Sequence, residues 1–182
     1  PYRQIHLDFH TSEKIPGIAS RFNAKEFAKT LKDAHVNSIN VFGKCHHGMF
    51  YYPSKIGTMH PGLNGRNLLG EQVAALKEEG IRFTVYTCVG WNEEWALKYP
   101  QWQQRNVAGV VGMRGTFERG YYSWNDLCLN AKDYREIIKN ELKEEYELFK
   151  PAGFWIDIVN QRGCVCDNCI SGMKSKGMDP TL

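Results

Sequence analysis

The stretch of sequence that decides the fold is Val41-Phe-Gly-Lys-Cys-His-His-Gly-Met-Phe-Tyr-Tyr-Pro-Ser-Lys55. An apolar run from Ile39 to Phe42 predicts a buried strand, and polar and aromatic side chains follow it at once. In chains that alternate strands with helices, such side chains at the carboxyl end of a strand form the binding site. The stretch therefore predicts a buried strand that leads into a site. The alternative interpretation is a polar surface loop that contains two histidines.

The side chains of this stretch suit a ring that carries hydroxyl groups. Lys44, His46 and His47 supply polar groups, and the histidines in particular offer both hydrogen-bond donors and acceptors. Tyr51 and Tyr52 supply aromatic faces. A sugar has hydroxyl groups at its edge and C–H groups on its face, so the combination predicts carbohydrate as the ligand.

Outward from this stretch, strands and helices alternate along the chain. We predict strands at 5–10, 36–42, 81–87 and 153–159, and helices at 24–35, 68–79, 93–98 and 132–149, with a glycine-rich insertion at 106–124. This order predicts an α/β fold with a parallel sheet and right-handed crossovers. A complete (β/α)8 barrel needs about 250 residues. The 182 residues therefore predict a single domain, residues 1–182, that is the first half of a TIM-like barrel or a small open sheet.

The long helix at 132–149 has a clear polarity pattern. Its apolar stripe consists of Tyr134, Ile137, Ile138, Leu142 and Tyr146. The acidic residues between them are predicted to lie on a solvated face; these are Glu141, Glu144, Glu145 and Glu147.

Composition excludes several classes of protein. The net charge of +3 is spread evenly, whereas nucleic-acid binding calls for a concentrated basic face. No apolar run approaches 18 residues, so we expect no membrane span. The first residues contain no apolar segment of the kind found in signal peptides, and nothing else favours secretion, so we expect a cytoplasmic protein.

The cysteines form a pattern typical of a metal site. Cys164, Cys166 and Cys169 place three thiols within six positions, and Cys128 is the best candidate for a fourth ligand. Four thiolates match a closed structural zinc site. The alternatives are reduced, metal-free cysteines and, less favoured, disulfides. Cys45 and Cys88 each follow a strand and are predicted to be buried or close to the site.

Asp157 ends an otherwise apolar strand, Gly153 to Val159. An unpaired buried carboxylate is costly, so such a residue has either a partner or a chemical role. The structural interpretation is an aspartate that binds loop amides. Polar groups also follow the other predicted strands: His10 follows the first, and Tyr86 and Trp91 lie at the end of the third. Their repeated appearance at strand ends favours a site.

These segments resemble the first four strands of the retaining α-L-fucosidases of glycoside hydrolase family 29. The matching pieces are Asp8-Phe-His10-Thr, Lys44-Cys-His-His47-Gly-Met-Phe50, Tyr86-Thr with a following Trp, and Trp155-Ile-Asp157. Gly48 stands where that family has an acidic residue. The resemblance implies that Asp157 is the nucleophile and that His10, His46 and His47 bind the sugar hydroxyls. We further expect Lys44 and Tyr86 in the same pocket, and Trp91 or Trp155 as a stacking face.

A second resemblance concerns the cysteines. Cys128-Leu-Asn followed by Cys164-x-Cys-x-x-Cys169 is similar to the zinc-binding cysteines of family 42 β-galactosidases. The chain as a whole looks closest to a glycosyl-hydrolase-like family, the hypothetical glycosyl hydrolase 6 type, that combines both features in the front half of a barrel. This resemblance implies a glycosidase with structural zinc.

Three functions are consistent with these observations: a retaining glycoside hydrolase, a carbohydrate-binding relative without catalysis, and a zinc-stapled assembly domain. The acid/base residue of the fucosidases comes from beyond the fourth strand, and no residue of this chain is identified for that role. A half-barrel also leaves two sheet edges open. We therefore expect homo-oligomerisation, a partner chain or a missing C-terminal half to cover them.

Overall fold

The computed structural model describes residues 3–109, 111, 125–159 and 163–180. The strands are β1 (Gln4–His6), β2 (Ser38–Lys44), β3 (Arg82–Cys88) and β4 (Phe154–Asp157). The helices are α1 (Ala24–Asp33), α2 (Leu68–Glu78), α3 (Glu93–Lys98), α4 (Lys132–Phe149) and α5 (Asp167–Ser175). Short 3-10 turns lie at Pro61–Leu63 and Pro100–Trp102. Most of the predicted glycine-rich insertion, at residues 110 and 112–124, lies outside the described residues.

The four strands form one parallel sheet in the order β1-β2-β3-β4. With the helices packed on one side, the sheet curls into half of a TIM-like barrel, which confirms the predicted fold class. The first strand is shorter than predicted because β2 pairs with it only from Ser38 to Asn40. The carboxyl ends of all four strands lie at one edge of the sheet, so side chains far apart in the sequence meet there.

Asparagine side chains fix where three of the helices begin. The side chains of Asn23, Asn67 and Asn92 each accept a hydrogen bond from a backbone N–H in the first turn of α1, α2 and α3. Each caps a donor that would otherwise have no partner within the helix. These caps place each helix directly after the loop that follows its strand.

The two faces of the sheet differ in chemistry. Outward-facing residues, among them Ile39, Val41 and Val85, pack against α1 and α2 in a buried apolar core. The inner face instead carries a row of rings that contact one another: His6, Phe42, Tyr86 and Trp155. Phe42 and Tyr86 are buried in a second apolar cluster, whereas His6 and Trp155 are exposed. Part of the inner face is therefore available for a ligand.

Helix α4 packs differently from the prediction. Glu141 and Glu145 are completely buried, whereas Tyr146, which was assigned to the apolar stripe, is 52% exposed. The prediction of a solvated face is wrong for these two glutamates. For Glu141 the cause is Lys44 at the end of β2, whose buried ammonium forms an ion pair with it, whereas Glu145 accepts from the Thr87 hydroxyl. A buried cation needs a counter-charge, and this requirement outweighs the helix periodicity.

In the described part of the chain, no helix combines the length and the apolar character that a membrane span requires.

Candidate active site

Asp157 is the last residue of β4 and lies among groups from β3 and from the segments that follow β1 and β2. The Tyr86 hydroxyl donates a hydrogen bond of 2.6 Å to Asp157 Oδ2. His46 Nε2 lies 2.9 Å from the same hydroxyl oxygen and 3.7 Å from Asp157 Oδ2. Tyr86 has one hydroxyl proton and uses it in the hydrogen bond to the carboxylate. The hydroxyl oxygen must therefore accept a hydrogen bond from His46. This assigns the proton of His46 to Nε2 and orders a chain from His46 through Tyr86 to Asp157.

His10, in the segment that follows β1, supports His46. The two imidazoles stack with their centroids 3.5 Å apart and an angle of 23° between the planes. The backbone N–H of His46 donates to His10 Nδ1 at 3.2 Å, so the proton of His10 is on Nε2, which lies 2.9 Å from Asp8 Oδ1. Two stacked imidazolium ions would repel each other. Both rings are therefore best described as neutral.

The charge states agree with this arrangement. Burial lowers the pKa of His46 to about 4, with a further contribution from neighbouring His10, and burial also lowers the pKa of His10. Burial acts to raise the pKa of Asp157. The hydrogen bonds from Tyr86 and from the Ile158 N–H, together with His46, outweigh burial, so the pKa lies below its ordinary value. At neutral pH the site holds an ionised carboxylate beside neutral histidines.

The backbone after Asp157 is strained. Ile158 has a φ of 56°, a left-handed conformation that is rare for a β-branched residue. In this conformation its N–H also hydrogen-bonds to the Asp157 carboxylate. The chain makes room for the turn with Gly90, where an added Cβ would lie 1.9 Å from the Ile158 carbonyl oxygen. Such strain persists where the surroundings hold it and is common at functional sites.

The remaining predicted site residues take different positions. Trp91 lies beside His46, with ring centroids 4.7 Å apart and an angle of 81°. Trp155 lies further down the inner face against His6, at 5.4 Å. His47 is buried, and its Nδ1 lies 3.6 Å from Glu13.

The structure does not bring Lys44 to this group. Its side chain turns toward α4, and its ammonium is fully buried against Glu141. Sequence reasoning grouped Lys44 with the histidines because they are adjacent in the chain. A register irregularity between Phe42 and Lys44 sends the side chain to the helix side of the sheet.

One residue at the site, His6, was not singled out from the sequence, and a second, Asp8, was noted there only as part of the segment Asp8-Phe-His10-Thr. His6 contacts Phe42, Tyr86 and Trp155 on the inner face. Asp8 is largely exposed and lies against His10. The available signal was alternation along the predicted first strand, 5–10, in which His6 and Asp8 have the same parity as His10. A polar residue at every second position is, however, equally typical of a solvated edge strand.

The four predicted metal ligands come together at a second location. The sulfur atoms of Cys128, Cys164, Cys166 and Cys169 all lie within 4.8 Å of one another. The Cys128 and Cys169 sulfurs are 3.4 Å apart, too far for a disulfide. Tetrahedral zinc with Zn–S of about 2.3 Å places sulfurs roughly 3.8 Å apart, so this cluster has suitable dimensions. The Asn130 amide donates to Cys169 Sγ at 3.3 Å, the kind of contact that supports a thiolate ligand.

Comparisons with known proteins give consistent results. The family described as "Hypothetical glycosyl hydrolase 6" matches residues 23–158. The α-L-fucosidase isoenzyme 2 from Paenibacillus thiaminolyticus is 39% identical over 100% of this chain, with a TM-score of 0.89. A GH29 α-L-fucosidase from Bacteroides thetaiotaomicron is 25% identical over 76% of this chain, with a TM-score of 0.53. The α-fucosidase of Thermotoga maritima is 21% identical over 80%, with a TM-score of 0.57, and shows the fold alone.

The chain spans only part of each of these proteins: 27% of the Paenibacillus and Bacteroides chains and 31% of the Thermotoga chain. No curated protein sequence matched.

Proposed function

Because the chain belongs to the hypothetical glycosyl hydrolase 6 family, we propose that it carries the sugar-binding face and the nucleophile of a retaining, α-L-fucosidase-like glycosidase. The observation that carries this proposal is the position of Asp157. Its carboxylate ends β4 on the inner face, receives the Tyr86 hydrogen bond and lies 3.7 Å from His46. The likeness to the Paenibacillus α-L-fucosidase over the whole chain supports fucose as the sugar.

Asp157 would act by attacking the anomeric carbon. A bond forms between its carboxylate oxygen and that carbon while the bond to the leaving-group oxygen breaks. A second carboxylic acid protonates the leaving oxygen, and its carboxylate then removes a proton from the water that hydrolyses the glycosyl-enzyme ester. In retaining enzymes the two carboxyl groups are about 5–5.5 Å apart. In this proposal the second group comes from beyond this chain, which spans 27% of the Paenibacillus enzyme.

The surrounding groups would bind and orient the sugar. The neutral imidazoles of His10, His46 and His47 offer polar atoms without competing for the negative charge of Asp157. Trp91 and Trp155 offer faces for the C–H groups of the ring. The hydroxyl of Tyr86 already donates its hydrogen bond to Asp157 before the sugar is attacked, and this bond stabilises the ionised carboxylate. The nucleophile is therefore oriented without rearrangement.

The test is hydrolysis of an aryl α-L-fucoside by the full-length gene product and its Asp157→Asn variant. We expect kcat to fall by about a thousandfold or more, while thermal stability and L-fucose binding stay close to wild type because the amide is nearly isosteric. Asp133→Asn, at an exposed position in the first turn of α4, is the matched control. Full activity of Asp157→Asn refutes the proposal. Binding of fucoside without turnover by the wild type favours the non-catalytic carbohydrate-binding alternative.

We also propose that Cys128, Cys164, Cys166 and Cys169 hold a structural zinc ion. Their mutual distances support four-thiolate coordination, and Cys128, Cys166 and Cys169 are buried. Such an ion would fasten the segment after β4 to the segment before α4, because Cys128 precedes α4 and the other three follow β4. Its role is in folding, with all four positions filled by protein.

A further inference from the structure

Asp126 is a buried carboxylate that has no part in the proposed catalytic step. It is only 5% exposed. Its Oδ1 accepts a hydrogen bond of 2.6 Å from the indole Nε1 of Trp91, and its carbonyl oxygen accepts from the backbone N–H of Gln104 at 2.8 Å. Removing a carboxylate from water is costly, so the charge-assisted bond to Trp91 is a substantial interaction.

The partner of Asp126 is the ring that borders His46. Trp91 meets the His46 imidazole edge to face at 4.7 Å, and His46 in turn contacts Tyr86 and Asp157. An indole at the end of a loop can turn about its side-chain bonds. A hydrogen bond to Nε1 fixes one edge of the ring and therefore the orientation of its face.

Asp126 is itself held on a fixed segment, residues 126–128. The Leu127 N–H donates to the Gly90 carbonyl at 2.8 Å, and the Cys128 N–H donates to the Trp102 carbonyl at 2.7 Å. Leu127 and Cys128 are completely buried. This segment joins the loop after β3 to the cysteine cluster, so the carboxylate that holds Trp91 is anchored on both sides.

We propose that Asp126 is a positioning residue of the sugar site: it fixes the Trp91 ring as an apolar wall for the C–H face of a pyranoside. The inference rests on the proposed function for its ligand, but the contact between the two side chains stands independently. Because a stacking wall contacts the sugar equally before and during the reaction, loss of Asp126 weakens binding and leaves the chemical step unchanged.

The experiment compares Asp126→Ala and Asp126→Asn with wild type and with the exposed control Asp133→Asn in the full-length gene product. The indole N–H proton resonance of Trp91, assigned by its loss in Trp91→Phe, reports the hydrogen bond directly. We expect an upfield shift in Asp126→Asn and a larger one in Asp126→Ala, because a neutral acceptor and then no acceptor replace the carboxylate. KM for an aryl α-L-fucoside and Kd for L-fucose should rise about tenfold in Asp126→Ala, whereas kcat should stay within about twofold of wild type. In Asp126→Asn, KM and Kd should lie between those of Asp126→Ala and wild type.

The readouts separate this inference from the proposed function. If wild type neither binds nor hydrolyses the fucoside, the proposed function fails, and the Trp91 resonance still decides whether Asp126 positions the ring. An unshifted resonance in Asp126→Asn overturns the inference. A shifted resonance in Asp126→Ala together with unchanged KM and Kd also overturns the inference. A decrease in kcat without any change in KM or Kd overturns it as well. If Asp126→Ala does not fold, Asp126→Asn gives the same comparison because it keeps an acceptor of the same shape.

Discussion

At the scale of single residues, the site depends on one hydrogen bond, which the Tyr86 hydroxyl donates to the Asp157 carboxylate. The phenol has no second proton for His46, so it accepts from the imidazole and donates to the carboxylate. Burial would push the pKa of Asp157 upward, and this hydrogen bond is the largest of the effects that bring it down. A change at Tyr86 should therefore appear as a change in the pH dependence of the nucleophile.

Tyr86→Phe tests this link. A nucleophile must be ionised, so activity falls as the pH drops through the pKa of Asp157. Without the phenol hydroxyl that pKa rises, and the acid limb of the kcat/KM profile should move to higher pH. Tyr146→Phe, at a half-exposed position on α4, should leave the limb in place. An acid limb that stays fixed in Tyr86→Phe would show that the hydrogen bond does not tune the carboxylate.

At the scale of elements, α4 and the β2–β3 pair share a buried polar contact. The Thr87 hydroxyl lies 3.1 and 2.9 Å from the two carboxylate oxygens of Glu145 and shares its one proton between them. Glu145 also approaches Gly43 so closely that an added Cβ would lie 2.1 Å from its Oε1. Burial raises the pKa of Glu145 to about 8, despite the Thr87 bonds. The folded protein thus holds a neutral carboxyl group where the unfolded chain has a charged one.

The consequence is a stability that falls with rising pH. Between the ordinary pKa of 4.5 and about 8, the folded state binds a proton that the unfolded state has lost. In that window the free energy of unfolding should drop by up to about 1.4 kcal/mol per pH unit. Glu145→Gln mimics the neutral form, so it should match wild type at pH 4.5 and be more stable at pH 8. Chemical denaturation at both pH values measures this. The exposed Glu147→Gln is the control, and equal stability of Glu145→Gln and wild type at pH 8 contradicts the prediction.

The cysteine cluster brings together the segment before α4 and the segment after β4. We expect purified protein to contain one zinc ion per chain, and a chelator to lower the melting temperature by several degrees because the ion binds only the folded state. Cys166→Ser should abolish stoichiometric zinc. Cys45→Ala also removes a buried thiol but lies outside the cluster, so it should keep its metal. Metal-free protein from zinc-replete growth would refute the assignment.

At the scale of the whole molecule, β1 and β4 are the edges of the sheet in the described part of the chain, and exposed apolar side chains lie at both. Leu7 near β1 is 46% exposed, and Ile156 and Val159 at β4 are 44% and 55% exposed. Exposed strand edges with apolar groups promote association. We expect the isolated 182-residue chain to self-associate above its monomer mass of 20.9 kDa.

Substitution at one edge tests this expectation. Val159→Lys should shift the mass distribution, measured by light scattering, toward 20.9 kDa. Leu97→Lys introduces the same charge at a position that is 77% exposed on α3 and belongs to neither edge strand, and should leave the distribution unchanged. A wild-type chain that stays at the monomer mass at high concentration would show that the edges need no cover.

The sequence alone determined the order of strands and helices, the parallel fold class and the strand-end positions of Asp157, His10 and His46, because periodicity and strand-end polarity are local signals. It also determined the cysteine grouping, because three ligands lie within six positions. The burial of Glu141 and Glu145, the turn of Lys44 toward α4 and the contact of Asp126 with Trp91 were decided only by the tertiary structure. Each depends on pairing a buried polar group with a partner distant in the chain, and local patterns contain no record of that partner.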